Sequence, residues 1–379
     1  MTQWPMVPLG EVLQLQRRWI EVDPLGTYEE IGVRCFGNGI FHKASVDGST
    51  LGNKRVLRIE PRDLVFNNVF AWEGAVAVAS GAESGKIGSH RFVTYTADEA
   101  RCSVDYLRWF FKSEPGLEVL RRVSPGSAGR NRTMSLNHFP KQCVPLPPLA
   151  EQQRIVAYLD ALDAKIKEAR RQAEDITHDA GSLLHSAFDR IIHTTTRRRL
   201  GDVAPLVRRP AMIDPFTDYP GVSVRSFGKG TFHTAALQGG DITWEKPHLV
   251  KAGDVLMSNI KAWEGAIAVA QQRDDGRYGS HRYLTYVPLH QIITPRFLCY
   301  YLLTPEGLYH IGEASPGSAD RNRTTSAQRV LDIPVPLPDY RKQLWFGELF
   351  DKLQAIAELR TASTANNDIL LPAVLNDFF

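Results

Sequence analysis

At 379 residues the chain exceeds the ~250 residues at which a single hydrophobic core stops growing, so two domains are expected. Hydrophobic residues make up 43% and charged residues 23%, which excludes wholesale disorder and collagen, and four scattered cysteines (Cys35, Cys102, Cys143, Cys299) exclude a disulfide framework or a zinc site. The balance of 45 basic and 42 acidic side chains, a net charge of +3, does not itself announce nucleic acid, although basic residues cluster at Arg17-Arg18, Arg197-Arg198-Arg199 and Arg208-Arg209.

In chain order, the first stretch, 1–148, is rich in glycine, proline and short β-prone runs. Phe36-Gly37-Asn38-Gly39 resembles the glycine-rich start of an S-adenosylmethionine site, but strand-like Ile40-Phe41-His42 follows it where a helix should open. A turn or bulge needing positive φ is the better reading. Val76-Ala77-Val78 and Phe92 to Tyr95 read as strands, and Asp105 to Phe111 as a short helix. The weakly polar run Gly74 to Ala79 is far too short for a membrane span, which needs ~20 residues. The start, Met1-Thr2-Gln3-Trp4-Pro5, has no signal-peptide order, and a soluble cytoplasmic protein is expected.

Segment 149–193 changes texture. From Glu151 to Ile192 there is no proline and a single glycine, and apolar or small residues fall at Ile155, Leu159, Leu162, Ile166, Ala169, Ala173, Ile176, Ala180, Leu183 and Ala187. That alternation of four and three is the 3.5-residue period of a coiled-coil seam. Such a helix spans on the order of 60 Å and needs a partner. A second globular stretch, 194–339, precedes a weaker helical segment, 340–379, with Phe346, Phe350 and Leu353 on its seam, a polar middle, and Pro372 expected to end or kink it. The fold class is α/β (α+β): two similar modules related by a pseudo-twofold axis and separated by two long antiparallel coiled-coil helices.

The two globular stretches are one unit written twice. Ala71-Trp72-Glu73-Gly74-Ala75 returns as Ala262 to Ala266, an offset of 263 − 72 = 191, and Gly88-Ser89-His90-Arg91 returns as Gly279 to Arg282, again 281 − 90 = 191. Phe36-Gly37-x-Gly39-x-Phe41-His42 pairs with Phe227-Gly228-x-Gly230-x-Phe232-His233 at the same spacing. The length of the repeat excludes solenoid units of ~20–50 residues and makes this a tandem duplication of domains.

Both copies carry sets of hydrogen-bond donors. Ser127, Arg130, Asn131 and Arg132 recur as Ser318, Arg321, Asn322 and Arg323, a turn suited to clamping phosphate or to bidentate readout of base edges. Asn68, His90 and Arg91 recur as Asn259, His281 and Arg282; Arg34, His42 and Lys43 add donors in the first copy, and Arg225 and His233 in the second. Arg17, Arg18, Arg208 and Arg209 complete the candidate DNA-binding residues. Solvated turns and internal ion pairs are the alternative for any one of them. No metal ligands or catalytic residues are identified: Glu83-x-x-Lys86, a conceivable nuclease pair, becomes Asp274 and Arg277 in the second copy. There is no Walker loop and no Asn/Asp-Pro-Pro-aromatic tetrad of an amino-methyltransferase.

These features together resemble the specificity (S) subunit of type I restriction–modification systems. Pro145-Leu146-Pro147-Pro148-Leu149-Ala150-Glu151-Gln152-Gln153-Arg154-Ile155 looks like the family's entry into its first spacer helix, and its copy from Pro336 to Gln343 keeps the prolines and one glutamine. Leu370-Leu371-Pro372-Ala373-Val374-Leu375 is similar to the usual end of the second helix. The resemblance implies a noncatalytic subunit whose two target-recognition domains read the halves of a bipartite DNA site. It also implies that the helices set the spacing and dock two methyltransferase (M) subunits, which methylate adenine from their own S-adenosylmethionine, with two restriction (R) subunits as further partners. Because the two modules are alike, a gapped inverted repeat is the expected target. A stand-alone adenine methyltransferase and a protein-binding scaffold are the competing readings.

Overall fold

The computed structural model describes residues 4–126, 132–242, 246–317 and 323–379, without the side chains of 361, 362 and 364–368. Two compact units make up the chain, one of residues 1–174 with 360–379 and the other of residues 175–359.

The first unit is built on a four-stranded antiparallel sheet in the order Val76–Val78, Leu64–Asn67, Phe92–Ala97, Leu13–Gln16. Alternation along each strand sends successive side chains to opposite faces. Leu64, Phe66, Val76, Val93 and Tyr95 enter one core, shared with the helices Val104–Phe110 and Glu114–Arg122. Val65, Ala75, Ala77 and Phe92 enter a second core with Ile31, Val33, Leu57 and Ile59.

The second unit repeats this plan at the same residue offset. Its sheet runs Ile267–Val269, Val255–Ser258, Tyr283–Tyr286. Val255, Met257, Ile267, Leu284 and Tyr286 pack on the helices Pro295–Leu303 and Pro305–Glu313, while Leu256, Ala266 and Ala268 turn to the other side with Val222, Val224 and Val250. The fourth strand of the first unit shrinks here to a single bridge, Leu206 to Tyr286. Pro205 and Pro288 stand where Gln14 and Ala97 stand in the first unit, and proline has no N–H to give a strand ladder.

Each globular part opens directly into a long helix, Leu149–Ile192 and Tyr340–Phe378. The junction is fixed by one buried glutamine. Gln152 accepts from the Ser103 amide at 2.8 Å and donates to the Arg101 and Pro147 carbonyls at 2.9 and 2.8 Å. Gln343 repeats all three bonds, accepting from Thr294 at 2.9 Å and donating to Ile292 and Pro338 at 3.0 and 2.9 Å. Both side chains are fully buried, so these bonds have no competition from water.

Each unit pairs the beginning of one long helix with the end of the other, as an antiparallel arrangement requires. In the first unit, Ile155, Leu159 and Ile166 share a core with Leu371 and Leu375, and Phe379 packs on Tyr106 and Phe110. In the second, Phe188 packs on Phe297, Tyr300 and Phe346, with Phe350 also against Tyr300. Phe188 and Phe379 are themselves one repeat apart (379 − 188 = 191) and close their units in the same way.

Two sequence expectations are corrected. Leu183, placed on the seam by strict heptads, is 50% exposed, and Leu184 with Ala187, Phe188 and Ile191 faces the core instead. A helix of ~3.6 residues per turn drifts ~20° per heptad, so after four heptads from Ile155 the inward position has moved one residue along. Ile176 and Leu353 are half-buried. Pro372 does not end the last helix but lies inside it. Proline in a helix interior costs ~3 kcal/mol, and the burial of Leu371 and Leu375 on either side offsets that.

Replacing Gln152 by leucine leaves one amide and two carbonyls buried without partners, at about 1–3 kcal/mol each before relaxation. Denaturant unfolding should show Gln152→Leu several kcal/mol less stable, whereas the exposed neighbour variant Gln153→Leu should stay within ~0.5 kcal/mol of the parent.

Candidate nucleic-acid interface

The repeated glycine-rich segment is a hairpin tip. Strands Ile31–Val33 and Ile40–His42 are joined through Phe36, Gly37 and Gly39 at φ of 59°, 63° and 78°, and Phe227, Gly228 and Gly230 repeat these at 61°, 64° and 77°. Left-handed φ is costly for phenylalanine and persists only where neighbours impose it. The Phe36 and Gly37 amides donate to the carbonyls of Glu73 and Gly74, both at 2.8 Å, and Phe227 and Gly228 do the same to Glu264 and Gly265. The two recurring motifs therefore hold each other in place. The Cys35 thiol donates to Glu73, and Ser226 takes that role toward Glu264. Burial and the Glu73 carboxylate push the Cys35 thiol up to about 11, so it is a donor and not a nucleophile.

From that anchored turn the donor-bearing segments converge. The Asn68 amide donates to the Arg91 carbonyl at 2.7 Å, and the Met134 amide donates to the Asn68 carbonyl at 3.0 Å. Three segments far apart in sequence meet at Asn68. Arg132 lies 4.8 Å over the Trp72 ring and its Nε donates to the Gly126 carbonyl, while the Trp72 indole is fixed by a bond to the Val69 carbonyl. In the second unit the Asn259 amide donates to Arg282, Thr325 donates to Asn259, and Arg323 lies 4.9 Å over Trp263. The buried Oδ1 atoms of Asn68 and Asn259 accept no hydrogen bond among the described residues.

His90, Arg91 and Arg282 are exposed around this cluster, and His281 is half-buried. Arg91 and Arg282 form no ion pair among the described residues. Each unit thus gathers an amide, a stacked guanidinium and an exposed arginine, the donor types that meet phosphates and base edges. Ser127, Arg130, Asn131, Ser318, Arg321 and Asn322 lie outside the described residues.

Other candidates are committed internally. Arg18 bonds the fully buried Asp63 carboxylate at 2.7 Å, and Arg209 forks onto Asp254 at 2.6 and 3.1 Å. These acids also cap the turns at Glu60 and Lys251, so the arginine–aspartate pairs tie strand ends to corners. Lys43 pairs with Glu30 at 3.6 Å. Arg34 and Arg225 lie over Phe41 and Phe232 within their hairpins. Arg17 and Arg208 are exposed.

The His42 Nε2 is 2.6 Å from Glu83, and His233 Nε2 is 2.9 Å from Asp274. Glu83 also takes both the Ser80 amide and hydroxyl, and Lys86 pairs with Glu29, which leaves no nuclease-like pairing of Glu83 with Lys86. Burial pushes the Glu83 and Asp274 carboxyls up, but hydrogen bonds, from Ser80 and His42 to Glu83 and from the Gln271 amide, Thr231 and His233 to Asp274, outweigh it and hold both below their ordinary values. Among the described residues no group of three or more His, Cys, Asp or Glu could hold a metal, and no helix is long and apolar enough to cross a membrane.

Sequence reasoning missed the aspartates that take up Arg18 and Arg209, and the arginine stacked on Trp72. The signal was available: Asp63 and Asp254 are one repeat apart, as are Trp72 with Trp263 and Arg132 with Arg323.

Residues 117–176 match the family model for the type I restriction modification DNA specificity domain. Among curated proteins none matches the chain by sequence. Solved structures resemble it along its whole length. One described as the HsdS subunit from Thermoanaerobacter tengcongensis is 19% identical, with a TM-score of 0.56, covering 98% of this chain and 95% of that one. A chain from a study of complex assembly and conformational transition in a type I restriction–modification system is 20% identical, with a TM-score of 0.68 and coverage of 98% and 96%. The type I restriction–modification S subunit from M. genitalium is 13% identical, with a TM-score of 0.51 and coverage of 100% and 96%. The resemblance read from the sequence, to the type I specificity subunits, is borne out by these findings.

Because the folded Asp274 carboxyl titrates below the ordinary aspartate value of ~3.9, its contribution to stability is complete above that pH and fades as pH falls through the lower folded value. Asp274→Asn should cost about 1–3 kcal/mol at pH 7 in denaturant unfolding, and the gap to the parent should narrow at the acid end of the series.

Proposed function

We propose that this chain, which carries a type I restriction modification DNA specificity domain, is the DNA sequence-recognition subunit of a type I restriction–modification adenine methyltransferase complex. Residues 1–148 and 194–339 are its two target-recognition domains, and 149–193 and 340–379 are the spacer helices that fix the distance between them. The observation that carries this reading is the twin cluster in which Asn68, Arg91 and Arg132, and again Asn259, Arg282 and Arg323, are drawn together by main-chain bonds from separate segments.

In this reading the stacked Arg132 and Arg323 and the two asparagines meet base edges. The exposed Arg17, Arg91, Arg208 and Arg282, with His90 and His281, meet the backbone. Ser127, Arg130, Asn131, Ser318, Arg321 and Asn322, outside the described residues, are assigned the same DNA-contacting role from their hydroxyl, guanidinium and amide groups. Arg34, His42, Lys43, Arg225 and His233 flank it on the hairpins. Arg18 and Arg209 are reassigned from contact to frame, since each is bonded to a buried carboxylate.

The chain supplies geometry and its partners supply chemistry. Two M subunits dock on the spacer helices and flip an adenine in each half-site for methylation, with the methyl donor bound on the M subunit. R subunits join the same assembly, and the complex works in the cytoplasm. Because the two recognition domains are alike in sequence, the target is a gapped inverted repeat.

Co-expression with a partner methyltransferase (M) subunit and sequencing of methylated adenines tests this: methylation at a gapped target with related, inverted half-sites is expected, and two unrelated half-sites would rule out the inverted repeat. Binding of the purified complex to that target should weaken steeply with salt, and Arg132→Ala should reduce affinity by about 5-fold or more while altering only one half-site. Loss of no DNA affinity in the Arg132→Ala, Arg323→Ala double variant would remove the assigned interface.

A further inference from the structure

Immediately beside the shared cluster, the two units carry different chemistry at equivalent positions. In the first, Trp19 faces Leu57 across the strands Trp19–Ile20 and Val56–Arg58, and the Arg55 guanidinium lies 4.6 Å over the Trp19 ring. The His90 amide donates to the Arg55 carbonyl at 3.0 Å, so this stacked pair adjoins His90 and Arg91. Trp19 is 38% exposed and Arg55 is exposed, with no carboxylate paired to it among the described residues.

The second unit keeps the frame and changes the side chains. The bridge between Pro210 and His248 stands in the register of Trp19 and Leu57 (210 − 19 = 191; 248 − 57 = 191). Lys246 occupies the place of Arg55, and proline stands opposite where the first unit has the Trp19 ring. His248 is half-buried, and burial with the charges of Arg208 and His281 holds its imidazole below the ordinary value, which favours the neutral ring.

A guanidinium stacked on an indole keeps its plane while its rigid fork of N–H donors faces outward, and that fork matches the O6 and N7 acceptors of guanine. A lysine on a flexible stem offers a point charge that suits a phosphate and discriminates weakly among bases. We propose that Arg55, set on Trp19, reads a guanine in one half-site, and that the equivalent position of the other half-site is not read for guanine. The two halves then share the bases met by the common cluster and differ at this one. This rests on the DNA-recognition reading above and deepens it.

The full chain with its M partner, expressed in a host without other adenine methylation, provides the test, with methylated adenines sequenced across a random-site library. The parent should show guanine at this position in one half-site only. Arg55→Lys, which keeps charge and exposure, should reduce the preference for guanine there by about 5- to 150-fold and leave every other position unchanged. Trp19→Ala should weaken the same single preference, and Lys246→Ala should alter none. Thermal unfolding of each complex separates lost reading from lost folding. An unchanged motif in Arg55→Lys would overturn the assignment, as would a uniform fall in methylation at all sites by a variant that melts like the parent. Absence of any gapped target in the parent complex would instead sink the underlying recognition reading, and it would be seen before any substitution is made.

Discussion

Gln152 and Gln343 join sheet to helix with every hydrogen-bonding group they have. Each amide oxygen takes a main-chain N–H at the start of the neighbouring short helix, and each amide nitrogen serves two carbonyls, one of them in the proline run just before its own helix. Only an amide of this length offers both an acceptor and two donors at that reach; glutamate lacks the donors and asparagine is too short. Because the bonds are wholly buried, each helix leaves its globular part in a single fixed direction.

The same economy of main-chain bonding governs the candidate interface. Phe36 and Phe227 hold left-handed backbone because the carbonyls of Glu73–Gly74 and Glu264–Gly265 take their amides and those of the following glycines. Those turns carry Trp72 and Trp263, on which Arg132 and Arg323 lie. Asn68 and Asn259 then connect the next strand and the arginine-bearing segment through their own amides and carbonyls. The side chains presented to a ligand are thus positioned by backbone geometry that tolerates sequence change around it. That is why Trp19 and Arg55 can become Pro210 and Lys246 without loss of register.

Duplication also reveals what is structural. The buried Asp63 and Asp254 each hold an arginine from the same strand end, although Arg62 and Gly253 beside them differ in everything but a positive φ. Residues kept in both copies divide into those that hold the frame, such as these pairs, and those that stand exposed without an ion pair among the described residues, such as Arg91 and Arg282.

The offset of 191 residues, the turn at Phe36-Gly37, the strands around Ala77 and Val93 and the proline-to-glutamine entry into the long helix were all legible in the residue order, because local propensity and periodicity dictate them. The convergence of Asn68, Arg91 and Arg132 was not, since it depends on main-chain bonds between segments tens of residues apart that leave no pattern in composition. Nor could heptad counting place Leu184 rather than Leu183 against the core, because the drift of a real helix accumulates with length and is settled by what it packs on. Helix through Pro372 was likewise decided by the burial of Leu371 and Leu375, a tertiary gain large enough to outweigh a local penalty. Local chemistry thus determined the elements and their repetition, and long-range packing alone decided which arginines hold the frame and which are left to face a partner.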